Sequence, residues 1–576
     1  MHTRCKRDAA RMQNRFRAAA AALPLLALAA CATTPAGDAV TEAEPIQILA
    51  LNDFHGNLEP TGRTSYSEAG ERREEQLGGA ARLGAALATL REGQEHSITV
   101  AAGDLISASP LSSAHFLDEP TIMALNRMGL ELASVGNHEF DRGTAELRRM
   151  QQGGCEKFIS RQPCQLDSPF EGARFTYLAA NVLDDAGQTL FPGTSIKSFG
   201  SIRLGFVGMT LKETQTLVSP AGTRGYHFAD EAETANAAAE QLLAEGADAV
   251  VLLIHQGGAV DPTFNVEGCP GLSGDILPIL DRLSPDIRLV ISGHTHAAYV
   301  CEVAGPDGTE RLLTSAGRYG NFVTDLRVEV DPRSNAVLAM SARNVPVSAA
   351  SGEQADIAAL VTRYVDATRP LAERRLGTVR GSAEWAGGDT DSPIGNLLTD
   401  AQLAATQGAA QGGAELAFLN SGGVRSRLEP AADGAVTYGQ LFALQPFGNT
   451  LVVVELTGAR LKDVLEQQFT DEAPARIRTS LLIPSAGFTY AYDRGRAAGE
   501  RIVEMRLNGQ QVEPTRTYRV TVNNFLASGG DGFSVLASAP VVAEGGVDLD
   551  ALEAFVAPGV SFPEGGRVRD VSGQPR

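Results

Sequence analysis

The sequence predicts an α/β protein built as two domains joined by a helix. Three observations carry that reading. The chain has 576 residues, too many for one compact core. From residue 46 to about 346, short apolar runs alternate with alanine-rich amphipathic stretches, the signature of layered strands and helices. Residues 352–376 are then helical in character, with mixed charge, and fresh strand signals follow them.

Taken in order, the chain opens on a basic segment (Arg4, Lys6, Arg7, Arg11, Arg15 and Arg17) and an apolar run at 18–30. That run is short for a membrane span and reads as a signal peptide over 1–30. It ends in Leu-Ala-Ala-Cys31, which resembles a bacterial lipobox with lipid attached to Cys31. Ordinary cleavage at an Ala-x-Ala-like site nearby is the alternative. Residues 31–44 are polar and suit a tether, so the expected location is the periplasm or the outer membrane, held only by that anchor. Residues 1–30 carry six basic groups and one acid, so their removal would take the formal charge from −20 to −25. Such a balance argues against binding a nucleic-acid polymer or an anionic membrane surface through charge. A phosphate substrate would therefore need local positive charge, which a bound divalent ion supplies.

The runs IQILAL (46–51), SITVAA (97–102), AVVLLI (249–254) and IRLVI (287–291) read as buried strands. They are nearly apolar throughout, as in sheets covered on both faces. Residues 79–90 and 231–243 are the intervening helices. The first domain spans 45–346, the linker helix lies within 347–376, and a second α/β domain occupies 377–562, with strands at LVVVEL (451–456) and YRVTV (518–522). Residues 563–576, containing Gly and Arg, are expected to be a loose tail. Four cysteines remain outside the export segment, and two disulfides are expected in an oxidising compartment. The simplest pairing is Cys155–Cys164 with Cys269–Cys301, among three possible connectivities.

The chemistry-bearing residues follow the strands. SVGNHEFDRG (134–143) places an amide, an imidazole and two acids just after an apolar approach. His55, His138, His255, His294 and His296 all follow strand-like runs, and no histidine occurs after His296. Reading strand ends in order gives Asn52-Asp53-Phe-His55, Gly-Asp104, Gly-Asn137-His138-Glu139, His255 and Gly-His294-Thr-His296. Carboxyl ends of strands are where α/β proteins gather ligands. A single Asp-x-His is usually structural, but five such ends left as unpaired buried polars would each cost roughly 1–3 kcal/mol. Asp53, His55, Asp104, Asn137, His255, His294 and His296 suit divalent Zn, Mn, Co or Fe. Seven donors exceed one tetrahedral ion and point to two metals, which could clamp a phosphoryl group.

This ordered set resembles the calcineurin-like metallophosphoesterases, and GNHEFDRG is similar to their secreted 5′-nucleotidase branch, which includes UDP-sugar hydrolases and 2′,3′-cyclic-nucleotide phosphodiesterases. The resemblance implies a layered α/β/β/α first domain. It also implies two divalent ions, one held by Asp53, His55, Asp104 and His296, the other by Asp104, Asn137, His255 and His294, with Asp104 bridging. His138 would assist at the phosphate, oriented by Asp141. A His held by a carboxylate can act as a cationic acid near neutral pH. Glu139 reads as a supporting residue.

The resemblance continues into the second domain through IGNLLTDA (394–401), NSGGVR (420–425), QPFGN (445–449) and NFLASGGDGF (524–533). Taken singly, a Phe after Pro or a Gly-Gly-Asp-Gly run is ordinarily core or turn. Together and in family order they imply Phe447 and Phe525 stacking on a base, Asn449 bonding the base, Asp531 the ribose, and Arg425 with Asn420 the phosphate or sugar edge. One departure stands out: the family often places an Arg before the Gly-Asn-Leu segment, whereas residues 386–392 here are acidic. Either Arg425 or Arg427 takes that role, or the pocket prefers a less highly charged ligand. The expected function is a metal-dependent phosphohydrolase acting on nucleotides. Two alternatives are a related thiosulfonate hydrolase of sulfur oxidation and a non-catalytic nucleotide-binding surface protein.

Overall fold

The computed structural model describes residues 45–573 apart from 332–335, 384–389, 472–473 and 479. The expected signal peptide, the lipobox at Cys31 and the tether lie outside the described residues, as do 386–389 of the acidic run. No described helix is long and apolar enough to cross a membrane.

The first domain is two six-stranded sheets packed face to face. In the first, Ala336–Pro346, Phe322–Asp331, Ile46–Leu51, Ser97–Ala102, Leu132–Ser134 and Thr176–Leu178 lie side by side in that order. In the second the order is Ala298–Ala304, Glu310–Ala316, Ile287–Ser292, Ala249–His255, Ile202–Thr210 and Thr194–Phe199. Side chains alternate across each strand, so Ile48, Val100 and Leu132 of one sheet meet Phe206, Val251 and Leu253 of the other in a dry core. Each such fully buried apolar side chain contributes roughly 1.5–3 kcal/mol. The outer faces are covered by helices: Ala80–Arg91 and Glu119–Met128 on one side, Glu231–Ala244 and Ile276–Leu280 on the other. The result is the α/β/β/α layering that the sequence pattern and family resemblance predict.

The central strands run parallel. Ile46–Leu51 pairs with Ser97–Ala102, which pairs with Leu132–Ser134, and Ala249–His255 lies between Ile202–Thr210 and Ile287–Ser292. Parallel pairing puts their carboxyl ends together, which sets up the site described below.

The helix Ala355–Ala372 follows the first domain. Its buried residues Ile357, Leu360, Tyr364 and Thr368 recur at helical spacing, and the first three join the core beneath Ala80–Arg91. The strand Arg375–Arg380 then opens the second domain, whose main sheet runs Leu482–Pro484, Leu416–Asn420, Thr517–Asn523, Thr450–Thr457 and Val541–Val547. The two domains share packing. Leu111 and Ala114, from the short helix Leu111–Ala114 of the first domain, sit in one apolar cluster with Ile394, Leu397, Val424 and Leu441 of the second.

The tail departs from expectation. Val568–Asp570 is not loose but pairs in parallel with Phe488–Tyr492. Arg567 forks onto Asp400 at 2.7 and 2.8 Å, and the buried Asp391 carboxylate accepts the N–H groups of Gly566 and Val568. A polar composition concealed these anchors, because the groups that fix the tail come from residues 391 and 400. The four cysteines pair as Cys155–Cys164 and Cys269–Cys301.

Candidate active site

Each central strand delivers its polar residue at or just past its last buried apolar position. Asp53 and His55 follow Ile46–Leu51, Asp104 follows Ser97–Ala102, and Asn137 follows Leu132–Ser134. His255 ends its strand, and His294 and His296 follow Ile287–Ser292. The backbone at these turns is strained. Asp53, His55, Asp104, His294 and His296 all have φ between 46° and 71°, a region L-residues rarely occupy. Such strain costs about 1–3 kcal/mol per residue and persists only where surrounding structure enforces it.

The donors converge in two groups: Asp53, His55 and His296 form one, and Asp104, His255 and His294 the other. In the first, His55 Nε2 lies 3.2 Å from His296 Nε2, and Asp53 Oδ1 lies 3.5 Å from His296 Nε2. In the second, Asp104 Oδ2 is 3.0 Å from His255 Nε2, and Asn137 Oδ1 is 3.1 Å from both His255 Nε2 and His294 Nδ1. Asp104 Oδ2 also approaches His55 Nε2 to 3.6 Å, which places this carboxylate between the groups.

The donor set fits divalent metal. The ring nitrogens facing away are spoken for: His55 Nδ1 meets the Ser107 carbonyl at 2.9 Å and His255 Nδ1 the Ala102 carbonyl at 2.7 Å. With Nδ1–H donating to a carbonyl, Nε2 of a neutral imidazole carries a free lone pair into the cluster. Burial pulls His55 and His294 down to about 3, which favours that neutral, ligating form. At His255 burial is outweighed by the Asp104 carboxylate, which lifts the pKa to about 10, so His255 must release a proton to ligate. Burial pushes the Asp53 carboxyl up to about 7, and among the described residues no Lys or Arg pairs with Asp53 or Asp104. Lone pairs and carboxylates thus converge without a described Lys or Arg ion-paired to either carboxylate.

His138 stands beside this cluster. Its Nδ1 is 2.8 Å from Asp141 Oδ2, and its backbone N–H donates to Asp104 Oδ1 at 2.8 Å. Burial alone would lower its pKa, but the Asp141 and Asp104 carboxylates outweigh that and raise it above the ordinary value. Glu139 does not face the cluster. Its buried carboxylate accepts the N–H groups of Asp104, Leu105 and Gly136 at 2.8–2.9 Å and so ties two strand ends together.

A cavity of about 300 Å³ opens between the domains. Asn137, His138, Asp141 and His294 line it from the first domain. Asn420, Arg425, Phe447, Asn449, Phe525 and Asp531 line it from the second. Asp53, His55, Asp104 and His255 are buried, and His296 is half-buried beside His55. Across the cavity Phe447 lies nearly parallel to the His138 ring, with 6.0 Å between centroids and 15° between planes, and the Arg425 guanidinium sits 5.6 Å above Phe447. Asn420 donates to the buried Asp531 carboxylate at 2.9 Å.

The cavity wall also contains residues that the sequence did not single out. Leu217, Val218 and Ser219 reach it from the first domain, and Ser480 and Asn523 from the second. Asn523 had a signal, since it closes a strand next to NFLASGGDGF; Ser480 and the 217–219 segment had none.

Comparison with known proteins agrees with this architecture. Residues 46–298 match the calcineurin-like phosphoesterase family, and residues 368–538 match the 5′-nucleotidase C-terminal domain. The chain belongs to the 5′-nucleotidase family. It is 26% identical to the Bos taurus 5′-nucleotidase over 543 residues, covering 89% of this chain and 88% of that one. The solved 5′-nucleotidase precursor of Thermus thermophilus superposes with a TM-score of 0.75 at 25% identity, over 92% of this chain and all of that one. A longer relative, the endonuclease YhcR of Bacillus subtilis (strain 168), is 28% identical over 495 residues; the match takes in 84% of this chain but only 37% of that protein. Membership of the 5′-nucleotidase family makes this chain a metal-dependent phosphoester hydrolase.

Proposed function

We propose that the protein is an exported 5′-nucleotidase that releases phosphate from nucleotides outside the cytoplasm, tethered by lipid on Cys31. The observation that carries this reading is the shared cavity: His138 and the donors Asn137 and His294 face Phe447, Phe525 and Asp531 across one space of about 300 Å³. A phosphate placed at the donors leaves its nucleoside within reach of the second domain.

In this mechanism Asp53, His55, Asp104 and His296 would hold one divalent ion, and Asp104, Asn137, His255 and His294 the other. Bound there, such ions would supply Lewis-acid stabilisation of the phosphoryl group and lower the pKa of an attacking water. The Asp141 carboxylate keeps His138 Nδ1–H engaged, which leaves Nε2–H to donate to the phosphoryl or leaving oxygen as negative charge develops there. Phe447 and Phe525 stack the base, Asp531 and Asn420 receive the sugar, Asn449 bonds the base edge, and Arg425 adds positive charge beside His138. Stacking tolerates any base, so activity on UDP-sugars and 2′,3′-cyclic nucleotides belongs to the same proposal.

The test is phosphate release from AMP, UDP-glucose and 2′,3′-cyclic AMP by purified protein, before chelation, after it, and with Mn or Zn restored. Turnover that disappears and returns with metal supports the reading. Absence of turnover on all three by protein carrying two ions overturns it.

A further inference from the structure

We propose that Asp118 is a positioning residue for the metal ligand His55 and, through Arg142, for the His138–Asp141 pair. Asp118 begins the helix Glu119–Met128 with φ of 64°, and its carboxylate is fully buried. Three groups converge on it. The Ser107 N–H donates to Oδ2 at 2.9 Å, the Ser113 hydroxyl to Oδ1 at 2.6 Å, and Arg142 to Oδ2 at 2.6 Å.

Two of these contacts lead toward the site. Ser107 carries the carbonyl that meets His55 Nδ1, so the group fixing the His55 tautomer is itself held by Asp118. Arg142 is the next residue after Asp141, so the same carboxylate also anchors the segment that bears His138. The fit is close: a Cβ on Gly56, the residue after His55, would fall 2.9 Å from Asp118 Oδ1 and 2.5 Å from Ser109 Oγ. Ser107, Ala108, Leu117 and Asp118 all hold positive φ, between 47° and 66°. That loop is strained at both ends, and Asp118 closes it by accepting the Ser107 N–H. The direct partner of a metal-ligating His, here the Ser107 carbonyl, typically tunes metal affinity about 10–100-fold, and Asp118 stands one hydrogen bond further back.

The inference rests on the dimetal reading, and binding of two ions by the wild-type protein tests that reading separately. Metal-stripped protein is titrated with Mn²⁺ against a fluorescent chelator, with far-UV circular dichroism as the check on folding. Asp118→Ala should weaken one of the two binding steps about tenfold, the low end of the range for a direct partner, and leave the other within about twofold. The weakened step should be the one lost in His55→Ala, not the one lost in His255→Ala. Asp118→Asn, which keeps an acceptor for Ser107, should recover most of that loss. If Asp118→Ala fails to fold because the half-buried Arg142 is left without that partner, Asp118→Ala/Arg142→Met removes the charge and carries the same expectation. A folded variant that binds both ions as wild type does, or loses both steps equally, overturns the proposal.

Discussion

The candidate metal donors of the first domain and the cavity-lining groups of the second that are proposed to face a nucleotide are held by different kinds of backbone. Five of the seven donors sit in the left-handed region at the ends of central strands, behind a core shared by two sheets. Of the six groups in the second domain, Asp531 alone has such a φ. Phe447, Asn449 and Phe525 are half-buried on turns and on the four-residue helix Asn524–Ala527. The first arrangement is over-determined: the packing that enforces strain also fixes distance, as metal chemistry requires. The second anchors Asn420 and Asp531 to each other but leaves Phe447, Asn449 and Phe525 half-buried, which suits groups that must admit and release a base. Substitutions should therefore act on kcat in the first domain and on KM in the second.

The largest effect is expected at Asp104, the one carboxylate placed between both donor groups. Asp104→Ala should lower kcat at least roughly 10³-fold and abolish binding of two ions by the same protein, as measured by metal analysis after dialysis. A variant that keeps two ions and full turnover would break the comparison at its strongest point. His138→Gln comes next, with kcat lower by roughly 10²–10⁴-fold while both ions stay bound. Loss of metal in that variant would move His138 from proton donor to ligand.

The difference between the regions also explains what the sequence revealed. Strand ends were legible because an apolar run followed by Asp, Asn or His is a local pattern, and seven donors could be read from it. The six groups of the second domain became legible only through family motifs, since a lone Phe447 or Asp531 looks like core or turn. Supporting residues were harder to read. Glu139 was legible as a support but not that it gathers three backbone N–H groups from two strand ends, and Asp118 meets Ser107, Ser113 and Arg142 only through a loop with positive φ that its composition does not reveal. The contact of Leu111 and Ala114 with the second domain, and the pairing of Val568–Asp570, likewise depend on tertiary partners that no local window contains.

Smaller effects should appear in the second domain. Phe447→Ala and Phe525→Ala should each raise KM by about 5–150-fold, matching the roughly 1–3 kcal/mol that stacking contributes per base. The rise should be similar for AMP and UMP, because every base offers a π-face. A large fall in kcat for Phe447→Ala at unchanged KM would show instead that its contact with the His138 ring governs the chemistry, and would blur the division between the domains.

The substitution with the smallest effect on turnover acts on stability instead. Asp548 is fully buried at the start of the helix Asp548–Val556, its N–H donates to the Asn449 carbonyl at 2.8 Å, and one of its carboxylate oxygens lacks a partner. Burial pushes its pKa up to about 7 from an ordinary value of 3.8. The protonated form is therefore the one the fold prefers. A raised carboxyl pKa leaves stability intact below about 4, erodes it as pH climbs toward 7, and leaves the full penalty above 7. Asp548→Asn removes the titration, so the variant should gain on wild type between pH 5 and pH 8, by up to about 4 kcal/mol. Thermal unfolding of both proteins across that range reads the gain directly. A constant difference in Tm would mean that Asp548 stays ionised in the fold, and the support behind Asn449 would then be polar rather than dry.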